Sequence, residues 1–188
     1  AASDVYKRQI HNCIEAVCTA CEQLSQTATG ALIVFERETK LGEQIDTGTI
    51  INATPSPELF GNIFFPNTPL HDGAVIIRDS KVYAAGCFLP KPQKEELISK
   101  ALGSRHRAAI GMSEVSDAVI VVVSEETGTI SIAENGSLTR FYNKDTLRKL
   151  LTAKLIPEKP EAKKMKGKAL KKHKKNAPDA KKEQGADK

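Results

Sequence analysis

Three short segments carry residue types that could do chemistry. Leu70-His71-Asp72-Gly73-Ala74 sets an imidazole and a carboxylate beside a glycine just before an apolar run. In its plainest reading the Asp-Gly pair is a polar turn that launches a strand. It also suits a carboxylate held at a strand end, with Gly73 admitting a ligand close to the backbone and His71 as a metal ligand or a donor to an anion. In Gly103-Ser104-Arg105-His106-Arg107-Ala108-Ala109, Ser104 reads as a helix N-cap, so Arg105 and Arg107 fall in the first helical turn. Cations at that end oppose the helix macrodipole by about 0.3–1 kcal/mol each. A bound anion would compensate, since free N–H groups and two guanidinium forks can grip a phosphate chain. Glu95, Glu96 or Glu114 could instead neutralise both arginines on a solvated face. Ser124-Glu125-Glu126 ends a buried apolar run, either as a polar hairpin turn or as a hydroxyl and carboxylates poised at a strand end to meet phosphate or metal. Together the three segments suggest a site for a polyphosphate and a divalent cation.

The elements that must position these groups follow from periodicity. Ile10, Cys13, Ile14, Val17, Cys18, Cys21 and Leu24 form one helical stripe over Gln9–Ser25. Cys18 and Cys21 read as small core residues, because no second Cys or His pair completes a zinc set. Ala31–Phe35 and Thr49–Ala53 read as strands, and Ser56 caps a brief helix through Phe60. Gly73–Arg78 and Lys81–Leu89 form a hairpin around Asp79-Ser80. Lys94–Leu102 is expected to be a helix with Leu97, Ile98, Ala101 and Leu102 inward, followed by a second helix from Ser104 to about Gly111. Ala118–Val123 is an unbroken apolar run, hence a central strand covered on both faces. Thr129–Ala133 is another strand, Asn135-Gly136 a turn, and Asn143–Leu151 a last helix.

Length and charge bound the rest. The 188 residues suit one domain plus an extension, with 40% apolar residues to build a core. The net charge of +5 divides unevenly: residues 154–188 carry thirteen Lys and five acids, leaving residues 1–153 at −3. A basic body for specific nucleic-acid binding is thereby excluded as the simplest reading. The Lys-rich tail, with almost nothing apolar to bury, is expected to be disordered. No run reaches the ~18–20 apolar residues of a membrane span. Four unevenly spaced Cys fit a reducing, cytosolic setting better than a disulfide scaffold. The expected fold class is α/β: a single domain with a central mixed β-sheet flanked by helices, plus the disordered basic C-terminal tail.

The same segments carry a family resemblance. Asp72-Gly73-Ala74 and Arg105-His106-Arg107, joined by a hairpin and a helix, resemble the bacterial diadenylate cyclase (cyclic di-AMP synthase) catalytic domain. Gly30-Ala31-Leu32-Ile33-Val34, Pro69–Ala74, Ser113-Glu114-Val115-Ser116-Asp117 and Val123–Gly128 extend the similarity from about Gly30 to Leu151. It is closest to the membrane-anchored class, in which three transmembrane helices precede a cytosolic catalytic domain. It does not resemble the DNA-scanning class, whose long helical C-terminal domains have no counterpart in this sequence. Phe88 and Ser104 stand where the family often has Tyr and Thr, keeping the stacking face and the hydroxyl.

The chain thus divides into an N-terminal amphipathic helix packed on the core (residues 1–29), a catalytic core that the resemblance covers (30–152) and a Lys-rich tail outside the family pattern (153–188). The resemblance implies condensation of two ATP into cyclic di-AMP with release of two pyrophosphates, across a homodimer with facing sites. Asp72 would activate the 3′-hydroxyl, Gly73 and Ala74 would lie against ribose and phosphate, and Ser104, Arg105, His106 and Arg107 would bind phosphates. Arg105 and Arg107, with Asp72 and Gly73, form the implied catalytic set. Ser124 and Glu126 would approach phosphates and metal, and Phe88 and Leu89 would hold adenine. A divalent ion (Mg²⁺, Mn²⁺ or Co²⁺) would be ligated by His71 and Asp72. The implied partners are a membrane regulator and phosphoglucosamine mutase, and the implied location is the cytoplasmic face of a bacterial inner membrane, with anchoring helices upstream of Ala1. The alternative is a nucleotide-sensing module of the same fold without turnover.

Overall fold

The architecture comes from a computed structural model in which residues 2–157 are described. The tail expected to be disordered lies outside them from residue 158 onward. Helix α1 (Ala2–Gln26) leads into β1 (Ala31–Phe35), α2 (Gly42–Asp46), β2 (Thr49–Ala53), α3 (Pro57–Ile63), β3 (Ala74–Arg78) and β4 (Lys81–Cys87). A 3₁₀ turn (Glu95–Leu97) then precedes α4 (Ser104–Glu114), β5 (Val119–Val123), β6 (Ile130–Glu134), β7 (Ser137–Tyr142) and α5 (Lys144–Leu155).

The strands form one seven-stranded sheet in the order β2-β4-β3-β1-β5-β6-β7. Only β1 and β3 run parallel, so the sheet is mixed as expected. Its two faces follow from the alternation of strand side chains. Ala31, Ile33 and Phe35 of β1 join Val121, Val123 and Ile132 on the face covered by α1, α3 and α5. Leu32 and Val34 join Ile76, Ile120 and Val122 on the face covered by α2 and α4. Every residue of β1 and β5 is buried, as their unbroken apolar runs imply. The hairpin turns occur where the turn chemistry demands: Asp79-Ser80 and Asn135-Gly136 all have positive φ. Asn143 caps α5 in a reciprocal capping box with Thr146.

Cys13, Cys18 and Cys21 pack in the core beneath α1. Burial pushes the thiols of Cys13 and Cys18 up to about 12 and that of Cys21 higher still, so they stay protonated and behave as small apolar residues.

Several expectations need correction. Lys94–Leu102 is not a helix; it forms isolated i→i+3 turns, and Leu97 is 74% exposed rather than inward. The carbonyls of Glu95 and Ser99 accept from the amides of Ile98 and Leu102, three residues on, and also from the Arg107 guanidinium. Ser104 does not cap α4: Gly103 holds the cap position in extended conformation, and no side chain bonds to the first turn. Helix α1 starts near Ala2 instead of Gln9, its first turns being too polar to show a stripe. The polar edge strand β7 and the five-residue α2 were not foreseen.

Candidate active site

Strand direction gathers the notable segments at one end of the sheet. The N-terminal ends of β1 and β3 and the C-terminal ends of β4 and β5 share that end, because Ala31 pairs with Val123 and Ala74 with Cys87. The Ile33–Val75 register sets Gly73 beside Ala31. Across the edge, in order, lie Phe88-Leu89, Asp72-Gly73, Gly30, and Ser124–Glu126. Neighbouring strands are about 4.8 Å apart, which brings all four segments within the reach of one extended ligand.

Gly73 is required by geometry. Its φ is +132°, and a Cβ there would lie 2.7 Å from the Gly86 carbonyl carbon. Gly86 (φ +66°) belongs to a bulge, since two steps along β3 from Ala74 to Ile76 match three along β4 from Cys87 to Ala84. The bulge leaves Asp72 exposed at the strand entrance. Beside it, His71 Nδ1 lies 2.6 Å from the Thr68 carbonyl. A carbonyl only accepts, so Nδ1 carries the proton in this contact, which leaves Nε2 as the nitrogen that could meet a metal. Phe88 is 68% exposed, and its amide donates to Thr47 Oγ1 at 2.8 Å.

The N-terminus of α4 meets the loop after β5 in an open cleft with about 440 Å³ of empty space, open solvent included. Ser104, Arg105, His106, Ser124, Glu126 and Arg140 are among the residues that line it. Arg105 lies flat on Gly30, where an added Cβ would sit 2.6 Å from Cζ. Its side chain is 14% exposed, and Nη1 pairs with Glu125 Oε2 at 3.2 Å. Arg105 Nε and His106 Nε2 are both buried without a hydrogen-bond partner. Burial, then the charge of Arg140, holds the His106 imidazole below its ordinary value, so it is neutral at pH 7; Glu126 opposes this and Arg105 adds to it. Ser124 shapes the loop, its Oγ accepting from the amides of Glu126 and Thr127 at 3.2 Å each. Its own hydrogen stays available to donate.

The structure thus brings Ser104, Arg105, His106, Ser124 and Glu126 into one cleft, with His71, Asp72, Gly73, Ala74, Phe88 and Leu89 along the same sheet end. It does not bring in Arg107. Residues two apart on a helix point about 200° from one another, and Arg107 faces the 95–99 segment, pairing with Glu95 Oε1 at 3.6 Å. Glu95 is one of the acids the sequence offered as a neutralising partner. Sequence reasoning missed Arg140, which sits on an edge strand it did not foresee, and the role of Gly30. Among the described residues, no three His, Cys, Asp or Glu side chains converge as a metal cage. His71 and Asp72 fit a divalent cation only as a partial set that an oxyanion would complete.

Residues 18–138 match the family model described as DisA bacterial checkpoint controller nucleotide-binding. The chain is 49% identical over 140 residues to cyclic di-AMP synthase CdaA of Bacillus subtilis, covering 74% of this chain and 51% of that protein. It is 43% identical over 150 residues to a diadenylate cyclase of Listeria monocytogenes, covering 80% of this chain and 55% of the relative. It spans about half the length of these curated relatives. A crystal structure of a double-mutant DacA from Staphylococcus aureus superposes with TM-score 0.74 at 46% identity, over 77% of this chain and 96% of that one. A hypothetical membrane spanning protein from Bacillus cereus superposes with TM-score 0.64 at 47% identity, over 68% of this chain and 62% of that one. No described helix of this chain is long and apolar enough to cross a membrane. With well over half its length matched in sequence and in fold, the chain belongs to the DisA-type bacterial checkpoint controller nucleotide-binding family.

Proposed function

We propose that this chain is a diadenylate cyclase that joins two ATP molecules into cyclic di-AMP and releases two pyrophosphates. The observation that carries the reading is the cleft at the head of α4, lined by Arg105 and His106, each with a buried, unpartnered nitrogen, and by the Ser124 loop, at the same sheet end as the Asp72-Gly73 entrance two strands away. A polyphosphate answers those nitrogens and the open helix N-terminus together. The names of the relatives support the same chemistry.

In each half-reaction a 3′-hydroxyl oxygen bonds to the α-phosphorus of the other nucleotide while the bond to pyrophosphate breaks in line. Asp72 orients the hydroxyl and takes its proton. Arg105 and the first-turn amides stabilise charge growing on the departing pyrophosphate, while Ser124 donates to a phosphate oxygen. Gly73 and Ala74 lie against the ribose, and Phe88 and Leu89 hold the base. Arg107 holds the 95–99 segment beside the cleft. A divalent cation (Mg²⁺, Mn²⁺ or Co²⁺), held by His71 and Asp72 with phosphate oxygens, would neutralise phosphate charge.

Two ATP must face each other antiparallel, and one chain offers one such cleft, so the reaction calls for a two-fold dimer with its clefts opposed. The parent protein is anchored at a membrane by segments upstream, in keeping with the membrane spanning name of the Bacillus cereus relative. Incubation with ATP and Mn²⁺, followed by chromatography, tests the reading: cyclic di-AMP should form, with a specific rate that falls on dilution as dimers dissociate. Asp72→Asn should keep ATP bound while turnover drops by about 10²–10⁴-fold. If the wild-type dimer binds ATP and yields no cyclic product, the chain is a nucleotide sensor instead.

A further inference from the structure

We propose that Arg140, on β7, is the second cationic contact for the nucleotide phosphates, a part that sequence pattern alone would give to Arg107; this rests on the nucleotide reading above. Arg140 lines the same cleft as Arg105, His106, Ser124 and Glu126, whereas Arg107 does not. A backbone irregularity sets its direction. Ile132 pairs with Thr139 and Ile130 with Tyr142, so Ser131 alone on β6 faces both Arg140 and Phe141 on β7. That bulge rotates the strand locally, the usual means by which a sheet edge re-aims one side chain toward a site. Phe141 sits at φ +70°, a conformation that bulky residues rarely adopt. The residue is 78% exposed, so burial does not offset the strain. Strain of this kind persists where the surroundings over-determine it, and it clusters at ligand clamps.

Charge makes the same point. Arg105 pairs with Glu125 and Arg107 with Glu95, but among the described residues no carboxylate pairs with Arg140. Its guanidinium carbon lies 5.1 Å from the centroid of the Phe141 ring. Beside it, His106 is 5% exposed with Nε2 unpartnered. Two guanidiniums and a neutral imidazole therefore converge on one opening from α4 and β7, two elements distant in sequence, which is the geometry for clasping an anion from both sides.

The test is titration calorimetry on the full 188-residue chain with α,β-methylene-ATP, which cannot release pyrophosphate, and separately with adenosine. Arg140→Ala should bind the analogue about 10–100-fold more weakly, the scale of one lost charge-assisted hydrogen bond. It should bind adenosine as the wild type does and melt at the same temperature, and Arg140→Lys should recover part of the loss. Unchanged affinity for the analogue in Arg140→Ala would overturn the proposal. So would an equal loss of both ligands, which marks a structural role. Should the wild type bind neither ligand, the nucleotide reading itself fails and this assignment falls with it.

Discussion

Gly30 lies directly under the Arg105 guanidinium, and the absence of a side chain there lets a charged group rest on the end of β1. The contact is with the far end of a flexible side chain, so Gly30→Ala should displace Arg105 more than it destabilises the fold. The expected outcome is a stability change within about 1 kcal/mol and nucleotide affinity weaker on the order of tenfold, read by chemical denaturation and calorimetry. A large stability loss with unchanged affinity would mean that Arg105 does not reach the ligand. His106 completes this local balance: sandwiched between cations and shielded from water, it is a neutral hydrogen-bonding group and not a third positive charge.

At the scale of elements, α4 is the piece whose placement matters most, and it is fastened at three points. Gly111 packs so closely on the 90–92 segment that a Cβ would strike the Pro90 carbonyl oxygen. Ser113 Oγ accepts from the Gly136 amide at 2.9 Å, tying the helix to the β6–β7 turn. Just beyond its end, Asp117 accepts from the amides of Glu38 and Thr39 at 3.1 and 3.0 Å. Burial alone would raise the Asp117 carboxyl, but these amide bonds and the Arg37 charge outweigh it and hold it below its ordinary 3.8. A carboxyl depressed in the folded state stabilises fully above its unfolded value and loses that contribution as pH falls through the folded one. Asp117→Asn should therefore be less stable at pH 7 by about 1–2 kcal/mol, and its urea midpoint should fall less steeply than that of the wild type between about pH 5 and pH 3. Parallel slopes for the two proteins would remove Asp117 from the account of acid stability. The Ser113–Asp117 run that contributes to the family resemblance is, on this evidence of contacts, a fastening for α4 and not a reacting group.

At the scale of the whole molecule, charge and fold separate. The sheet and its helices belong to a mildly acidic body, while the excess of lysine lies beyond residue 153. The phosphate binding proposed for the body would have to come from a few positioned guanidiniums, because its net charge is of the wrong sign to attract ATP from a distance. A polybasic extension can meet anionic surfaces without specificity, with an affinity that falls steeply as salt rises. Deletion of residues 157–188 should leave turnover within about twofold, since surface changes away from a site rarely matter; a large loss would assign the tail to the reaction. The proposed dimer belongs to this scale too, as a single cleft would hold half of the proposed reactants.

The amino-acid sequence by itself determined the strands with unbroken apolar runs, the two tight turns at Asp79-Ser80 and Asn135-Gly136, the buried cysteine stripe, and the three segments around which the site forms. All of these rest on short-range causes: side-chain periodicity, turn conformations and local composition. Tertiary structure alone decided that Lys94–Leu102 stays unwound against Arg107, that Arg105 turns to the cleft while Arg107 turns away, and that a strained bulge on an edge strand delivers Arg140. Each of those outcomes depends on a partner far along the chain, such as Gly30 under Arg105 or Ser131 opposite Arg140, and helix or strand propensity carries no information about which distant backbone will be there.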